Sequence, residues 1–280
     1  MPDSWSSDAM IVRVNDRRRT HHGPTERARR NTSFAAAVPL ADVARPIELV
    51  RERAVERQAR RDIQPRTRSE VLNRAVNVLL AAIALVILAP VMLLVAAAVK
   101  LTSRGPVLYS QTRVGLDRRR ARVDALYERR KQDAGGRIFT IYKFRSMYMD
   151  AEQQSGAVWA TRDDPRVTPV GQFLRRVRLD ELPQLVNVIK GDMNIVGPRP
   201  ERPSIFARLR EDITEYPLRQ LARPGITGWA QINHTYDCTV DDVRTKVRYD
   251  LEYLQRQSLA EDLKIMVRTV PVMLFRKGGW

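Results

Sequence analysis

The longest unbroken pattern in the chain is apolar. Ala75 to Val99, AVNVLLAAIALVILAPVMLLVAAAV, runs 25 residues without a charge. As a helix it extends roughly 37 Å, against about 30 Å for the hydrocarbon core of a bilayer, so length alone predicts a membrane span. Pro90 lies inside the run, where it removes a backbone donor and predicts a kink. Arg66, Arg68 and Arg74 stand before the run, and Lys100 and Arg104 after it. Basic residues on both flanks give a span no preferred orientation. They suit a helix–break–helix hairpin that enters the membrane and returns to the same face. Hydropathy alone leaves both courses open.

After this run the pattern becomes that of a folded domain. Val107, Leu108 and Tyr109 are β-prone, and Ile138 to Phe144, IFTIYKF, reads as a strand. Between them Asp117 to Arg137 is dense in charge, with a surface helix predicted over Val123 to Lys131 and a stop at Gly135-Gly136. A helix carrying Asp150 and Glu152 is predicted from Met147 to Gly156, and an Asx-type turn over Thr161 to Arg166. Val170 to Arg178 predicts an amphipathic helix with Phe173, Leu174 and Val177 on its apolar side. Leu182, Leu185, Val186 and Ile189 continue at helical spacing, and Gly191 suits the position just past that helix.

Further on, Ser204 to Tyr216 reads as a charged helix ended by Pro217. Arg223-Pro224-Gly225 and Gly228-Trp229 mark a rigid loop leading into a short extended run. Val240 to Tyr253 reads as a helix with Asp250 and Glu252 near its end. Leu259 to Phe275 is apolar on one side, is interrupted by Pro271, and is followed by Arg276, Lys277 and Trp280. A basic and aromatic end to an apolar helix suits a membrane interface; packing on the protein core alone is the other reading.

Charge changes the picture at the front of the chain. Met1 to about Ser69 is rich in Arg, Ser, Thr and Pro, with basic clusters at Arg17-Arg18-Arg19 and from Arg27 to Arg30. It reads as a largely disordered tail, solvated or docked electrostatically on anionic lipid headgroups. Ile47 to Arg61 could form a short charged helix within it. Over all 280 residues, Lys and Arg outnumber Asp and Glu by 49 to 32, which calls for an anionic partner: nucleic acid, acidic lipid or a phosphorylated small molecule. Aromatics are only 6%, little material for base stacking, and no nucleic-acid motif is present. Cys238 is the one cysteine, so no internal disulfide forms. His21, His22 and His234 are too scattered for a zinc site.

The candidate chemistry lies in Arg178 to Pro200, RLDELPQLVNVIKGDMNIVGPRP. Asp180 and Glu181 are adjacent, Arg175, Arg176 and Arg178 stand just before them, and a Gly-Pro-Arg-Pro turn closes the stretch. An Asp-Glu pair by itself is usually a solvated helix start. Beside several arginines it points to a site for phosphate together with a divalent metal, because a carboxylate repels phosphate unless cations lie between them. Lys143 and Arg145 at the end of the IFTIYKF strand are either an exposed cationic pair or ligand contacts.

Several longer motifs then occur in one order. They are KFRSM with a following DAE (Lys143 to Met147, Asp150 to Glu152), DDPRVTPVGQFLRR, LDELPQLVNVIKGDMNIVGPRPE and RPGITGWAQIN (Arg223 to Asn233). From about Leu72 to the C-terminus the chain resembles the bacterial sugar transferases that act as monotopic polyprenyl-phosphate phosphoglycosyl transferases. His234 stands where that family commonly has Gly, and Asp117 to Arg137 is longer than its usual link. The first seventy residues are unlike the multi-pass domain of larger members, so the short form is expected.

The resemblance implies transfer of a sugar-1-phosphate from a UDP-sugar to undecaprenyl phosphate, at the start of surface polysaccharide or glycoconjugate assembly. It makes Asp180 the nucleophile, with a covalent phosphosugar intermediate and UMP released, and Glu181, with Asp180, the site of Mg²⁺ (Mn²⁺ as a substitute). Lys143, Arg145, Arg199 and Arg223 become candidate phosphate contacts, and Pro90 the break of a re-entrant membrane helix. The expected fold is α+β: a basic tail over 1–69, a re-entrant helix hairpin over 70–101, and a mostly helical catalytic domain over 102–280 with a small sheet and interfacial amphipathic helices. The expected place is the bacterial inner membrane, on anionic lipids, with the catalytic domain on the cytoplasmic face. Self-association into a homo-oligomer is left open. The competing readings are a membrane-tethered nucleic-acid-binding protein, motivated by the charge, and a scaffold without activity.

Overall fold

The computed structural model describes residues 63–117, 135–149, 151, 164–234 and 239–275. The expectations for the tail up to residue 62, for 118–134, for Asp150, Glu152 and 161–163, for Cys238, and for Arg276, Lys277 and Trp280 lie outside the described residues.

The apolar run forms helix α1 (Glu70–Thr102). The Ser69 hydroxyl accepts from the Leu72 N–H at 3.3 Å, satisfying one of the free donors at a helix start. The helix continues through Pro90, which is exposed. Its packed stripe does not jump there. Ala81, Leu85 and Leu88 before the proline and Met92, Val95 and Val99 after it recur every three or four residues, so one face is kept throughout. The opposite face exposes Leu79, Ile83, Val86, Ile87, Leu93 and Leu94. Among the described residues this is the one helix long and apolar enough to cross a membrane.

Both halves of α1 rest on one sheet. Strand β1 (Leu108–Val114) pairs antiparallel with β2 (Ile138–Phe144), Leu108 opposite Phe144 and Val114 opposite Ile138. Phe139 and Ile141 pack with Ala81, and Phe144 packs with Val95 and Val99. Both ends of α1 are also tied down. Arg74 donates to the carbonyls of Val188 and Ile189, and Asn77 Oδ1 accepts from the Ile195 N–H at 2.7 Å. At the other end the Arg145 guanidinium donates to the carbonyls of Ser103 and Arg104 at 2.7 and 2.8 Å.

Met147, the predicted start of a helix to Gly156, is not helical; residues 150 and 152–156 of that expectation lie outside the described residues. Met147 makes an antiparallel bridge with Val167, and the Thr168 N–H donates to the Ser146 carbonyl at 3.0 Å. This tertiary pairing overrides the local helical preference of the stretch. Helix α2 (Pro169–Arg176) follows, capped by Thr168, whose hydroxyl accepts from the Gly171 N–H at 2.9 Å. Leu174 is buried but Phe173 is 56% exposed, so the packed side is narrower than predicted. A single 3₁₀ turn (Leu179–Glu181) leads into α3 (Gln184–Lys190), which buries Leu185 and Val188 and exposes Val186 and Ile189. Gly191 ends α3 at φ 88°, the left-handed conformation that favours glycine.

The second sheet is parallel: β3 (Asn194–Val196) pairs with β4 (Gly225–Thr227). Its backbones are so close that a Cβ at Gly225 would lie 2.1 Å from the Gly197 nitrogen. The extended part of this loop precedes Gly228, and the chain after it, expected to lead into an extended run, forms the short helix α5 (Trp229–Asn233). Helix α4 (Pro203–Asp212) ends earlier than predicted. Pro217 sits instead at the start of a 3₁₀ stretch (Tyr216–Leu221), where its missing N–H costs little. Helix α6 (Val240–Arg256) opens on a capping box between Thr239 and Asp242. The last element is α7 (Leu259–Phe275), with Leu263, Val267 and Val270 exposed along one side. The result is mixed helix and small sheet, as the α+β expectation requires.

Candidate active site

Asp180 and Glu181 sit in the 3₁₀ turn between α2 and α3, not on a regular helix. Arg178, just before the turn, holds a left-handed backbone at φ 55°, a conformation that costs a non-glycine residue roughly 1 kcal/mol. The Glu181 N–H donates back to the Arg178 carbonyl at 3.2 Å. This local reversal lets two adjacent carboxylates both turn inward: Asp180 is 6% and Glu181 5% exposed.

The two acids have different surroundings. Glu181 is held by cations on both oxygens. Lys143 Nζ at the end of β2 lies 2.8 Å from Oε1, and Arg199 Nη2 lies 2.6 Å from the same oxygen. Arg199 Nη1 is 3.4 Å, and Arg178 Nη1 3.9 Å, from Oε2. Asp180 has no hydrogen bond to its carboxylate among the described residues; its nearest cation is Lys143 Nζ, 4.0 Å from Oδ2. Arg175 adds positive potential at Asp180 while its Nε donates to the Ser146 hydroxyl at 2.9 Å.

Electrostatics separates the pair further. Burial pushes the Asp180 carboxyl above the usual range, and Glu181 adds to that, while Lys143 and Arg175 pull the other way. Burial also works to raise Glu181, but Arg199, Lys143 and Arg178 together outweigh it and hold that carboxyl well below its usual range. Burial lowers the Lys143 ammonium and Glu181 opposes it. Glu181 is thus a fixed anion inside a cationic ring, and Asp180 is the more basic carboxylate with open lone pairs. Lys143, Arg175, Arg178 and Arg199 bring four positive charges to two carboxylates. Such an excess favours a phosphate or diphosphate over a bare cation.

The structure brings Lys143 and Arg199 to the pair and places the other sequence-predicted residues elsewhere. Arg145 is 5% exposed and spends its terminal nitrogens on the end of α1. Arg223 pairs with Glu70 at the start of α1, 2.7 Å away. Pro90 lies within α1. Arg175 and Arg178, which with Arg176 marked the stretch as a phosphate site without being candidate contacts, also face the pair. Arg176 is exposed, while Arg178 stands beyond the end of α2 with a left-handed backbone, which spacing along the chain does not reveal.

No group of three or more His, Cys, Asp or Glu side chains that could hold a metal occurs among the described residues. Hard oxygen donors suit Mg²⁺, which typically takes one or two carboxylates and completes its shell with substrate phosphates and water. Asp180 meets that description with open oxygens, whereas both oxygens of Glu181 face cations. The donor set therefore fits a Mg²⁺ that comes with a diphosphate.

This geometry is a buried Asp-Glu turn ringed by cations, in a chain that carries one membrane-length apolar helix among its described residues. Residues 68–276 match the profile of the bacterial sugar transferases, and the chain belongs to that family. It is 42% identical over 180 residues to the UDP-N-acetylgalactosamine-undecaprenyl-phosphate N-acetylgalactosaminephosphotransferase of Aeromonas hydrophila, covering 64% of this chain and 38% of that one. It is 43% identical over 173 residues to the UDP-glucose:undecaprenyl-phosphate glucose-1-phosphate transferase of Escherichia coli, covering 61% and 33%. Over 119 residues it is 47% identical to a Bacillus subtilis protein named as a putative undecaprenyl-phosphate N-acetylgalactosaminyl 1-phosphate transferase, covering 42% and 56%. The matched region thus spans about a third of the first two relatives' length.

Proposed function

We propose that this protein transfers a sugar-1-phosphate from a UDP-sugar to undecaprenyl phosphate through a covalent intermediate on Asp180. The observation that carries the reading is the asymmetry of the pair: Glu181 is locked by Lys143 and Arg199, and Asp180 keeps its carboxylate open. In the first step an Asp180 carboxylate oxygen attacks the β-phosphorus of the UDP-sugar. A P–O bond forms to Asp180, and the bond to the bridging oxygen breaks with UMP as leaving group. In the second step a phosphate oxygen of undecaprenyl phosphate attacks the same phosphorus and the Asp180–phosphorus bond breaks. The product is undecaprenyl-diphosphate sugar and a free carboxylate. Splitting one displacement into two lets a weak nucleophile suffice.

The ring of cations offsets the charge that builds on the departing UMP and on the transferred phosphate. Arg175 and Arg178 are available to the diphosphate, while Arg199 and Lys143 orient Glu181. A Mg²⁺ would be held by Asp180, whose oxygens are open, and would supply further charge neutralisation on the diphosphate.

The acceptor is a lipid, and two apolar faces support a site at the membrane surface. Both ends of α1 are anchored on the same folded body through Arg74, Asn77 and Arg145, which supports a re-entrant or surface-lying course over a span with ends on opposite sides. The exposed Leu263, Val267 and Val270 stripe of α7 is a second apolar face. Beside it the Trp229 ring has the charges of Arg256, Lys264 and Arg268 within 5.3 to 5.7 Å, an aromatic and basic rim that fits anionic headgroups. The catalytic body then sits on the cytoplasmic face of the inner membrane, where a nucleotide sugar is supplied.

The test is UMP release from nanodisc-held protein with undecaprenyl phosphate, Mg²⁺ and a panel of UDP-hexoses and UDP-N-acetylhexosamines. Lipid-dependent release with one donor supports the reading and names the sugar. Folded protein that releases no UMP with any donor counts against it.

A further inference from the structure

Among the described residues the most deeply buried ion pair is Arg219 with Asp250. Arg219, in the 3₁₀ stretch after α4, donates from Nε to Asp250 Oδ2 of α6 at 2.6 Å, and the two side chains are 1% and 2% exposed. Arg219 Nη1 donates to the Tyr216 hydroxyl at 2.8 Å, and its guanidinium carbon lies 4.9 Å from that ring's centre. Its remaining terminal nitrogen, Nη2, donates to the backbone carbonyl of Arg199 at 3.0 Å. A buried pair of this kind adds little net stability compared with an apolar one, so its presence asks for another reason.

The loop it touches supplies one. Arg199 lies between Pro198 and Pro200, and neither proline has an N–H with which to anchor the backbone. The loop is held by its carbonyls instead. Pro198 accepts from the Gly225 N–H at 3.0 Å, Arg199 from Arg219, and Pro200 from Arg113 Nη1 at 3.1 Å. Of these three the Arg199 carbonyl belongs to the residue whose guanidinium grips Glu181. Arg219 is too deeply buried to meet a substrate; Arg199, one third exposed, faces the site.

We infer that Arg219, set by Asp250 and Tyr216, is a positioning residue that aims Arg199 at Glu181 through the Arg199 backbone. This rests on the transferase reading for its kinetic consequence. A displacement of about 1 Å at a positioned group can lower turnover on the order of 10²-fold.

The experiment is a double-mutant cycle with Asp250→Asn and Arg199→Ala, using UMP release, together with a structure of the Asp250→Asn protein. Tyr216→Phe, which removes one hydrogen bond from Arg219 and keeps the ring, is the gentler partner should Asp250→Asn fold poorly. The expected result is a kcat about 10- to 100-fold lower for Asp250→Asn, with KM for the UDP-sugar little changed, and no further loss in the Arg199→Ala background. The loss for Tyr216→Phe is smaller and vanishes in the same background. Equal losses with and without Arg199 overturn the inference. So does a structure of Asp250→Asn, or of Tyr216→Phe, in which Arg199 still grips Glu181 unmoved. That structural outcome is read whether or not the protein releases UMP, and a wild-type protein inactive with every donor counts against the transferase reading alone.

Discussion

Two arginine–carboxylate pairs lie on either side of the Pro198–Pro200 loop, and they differ in what surrounds them. Arg199 and Glu181 share their neighbourhood with Lys143, Arg178 and Asp180, and the arginine is one third exposed. Arg219 and Asp250 are almost wholly excluded from solvent, with a tyrosine as the other partner. Both geometries are short, with closest approaches of 2.6 Å. Distance therefore does not separate a site from a structural node. What separates them is access. The first has surplus cations opening on solvent, ready for an anionic ligand. The second is closed to solvent and can act only through the atoms it holds.

That contrast can be broken at several points. The largest effect is expected from Asp180→Asn, which removes the nucleophile without adding bulk: UMP release should fall by roughly 10³-fold or more, while flotation with liposomes is unchanged. Near-normal turnover in this variant would remove the covalent mechanism. On the closed side, Asp250→Ala leaves a buried guanidinium without its counter-charge, and the folding free energy should drop by about 3–5 kcal/mol. Chemical denaturation in mild detergent measures it. A double replacement, Arg219→Met with Asp250→Leu, should recover most of that stability yet keep a defect in turnover. Full recovery of both would make the node purely structural.

A smaller effect is expected at the open side from Arg199→Ala. It takes one cation from a ring of four, so turnover should fall about 10²-fold with little change in the thermal midpoint. The smallest is a shift in pH dependence. Asp180 must be ionised to attack, and its raised position sets activity loss on acidification above the ordinary aspartate range. Lys143 pulls Asp180 downward. Lys143→Gln should therefore move the acid limb of kcat/KM to higher pH, and a limb that stays put or moves down would contradict the charge assignment. The shift has the opposite sign at the neighbouring acid. The depressed Glu181 contributes stability present above its unfolded pKa, and this is lost as pH falls through its lower folded value.

Much of this was legible before any fold. The apolar run, the IFTIYKF strand, the α2–α3 region, Gly191 and the long C-terminal helices follow from periodicity and end signals, because amphipathic spacing and caps are local properties. The Asp-Glu pair with Lys143 and Arg199 was legible from motif and resemblance. Met147 entered a bridge with Val167, Phe173 turned outward, and Trp229–Asn233 coiled where an extended run was expected. Val167, distant in sequence, decided the first of these, and a local window does not contain that partner. The same holds for the basic residues: Lys143 and Arg145 are two apart on the chain, yet one meets Glu181 and the other the end of α1.

The sequence by itself determined that this chain has a membrane-length apolar helix, a cationic domain that wants an anionic partner, and an adjacent pair of acids beside arginines. It could do so because composition, period and spacing are properties of the chain alone. Only the tertiary structure decided which arginines face the acids, that Asp180 stays open while Glu181 is locked, that α1 is anchored at both ends on one body, and that Arg219 holds the backbone of Arg199. Those outcomes depend on burial and on which groups meet across tens of residues. Burial sets both the strength of a charge contact and the position of a carboxyl's titration, and it exists only once the chain has folded.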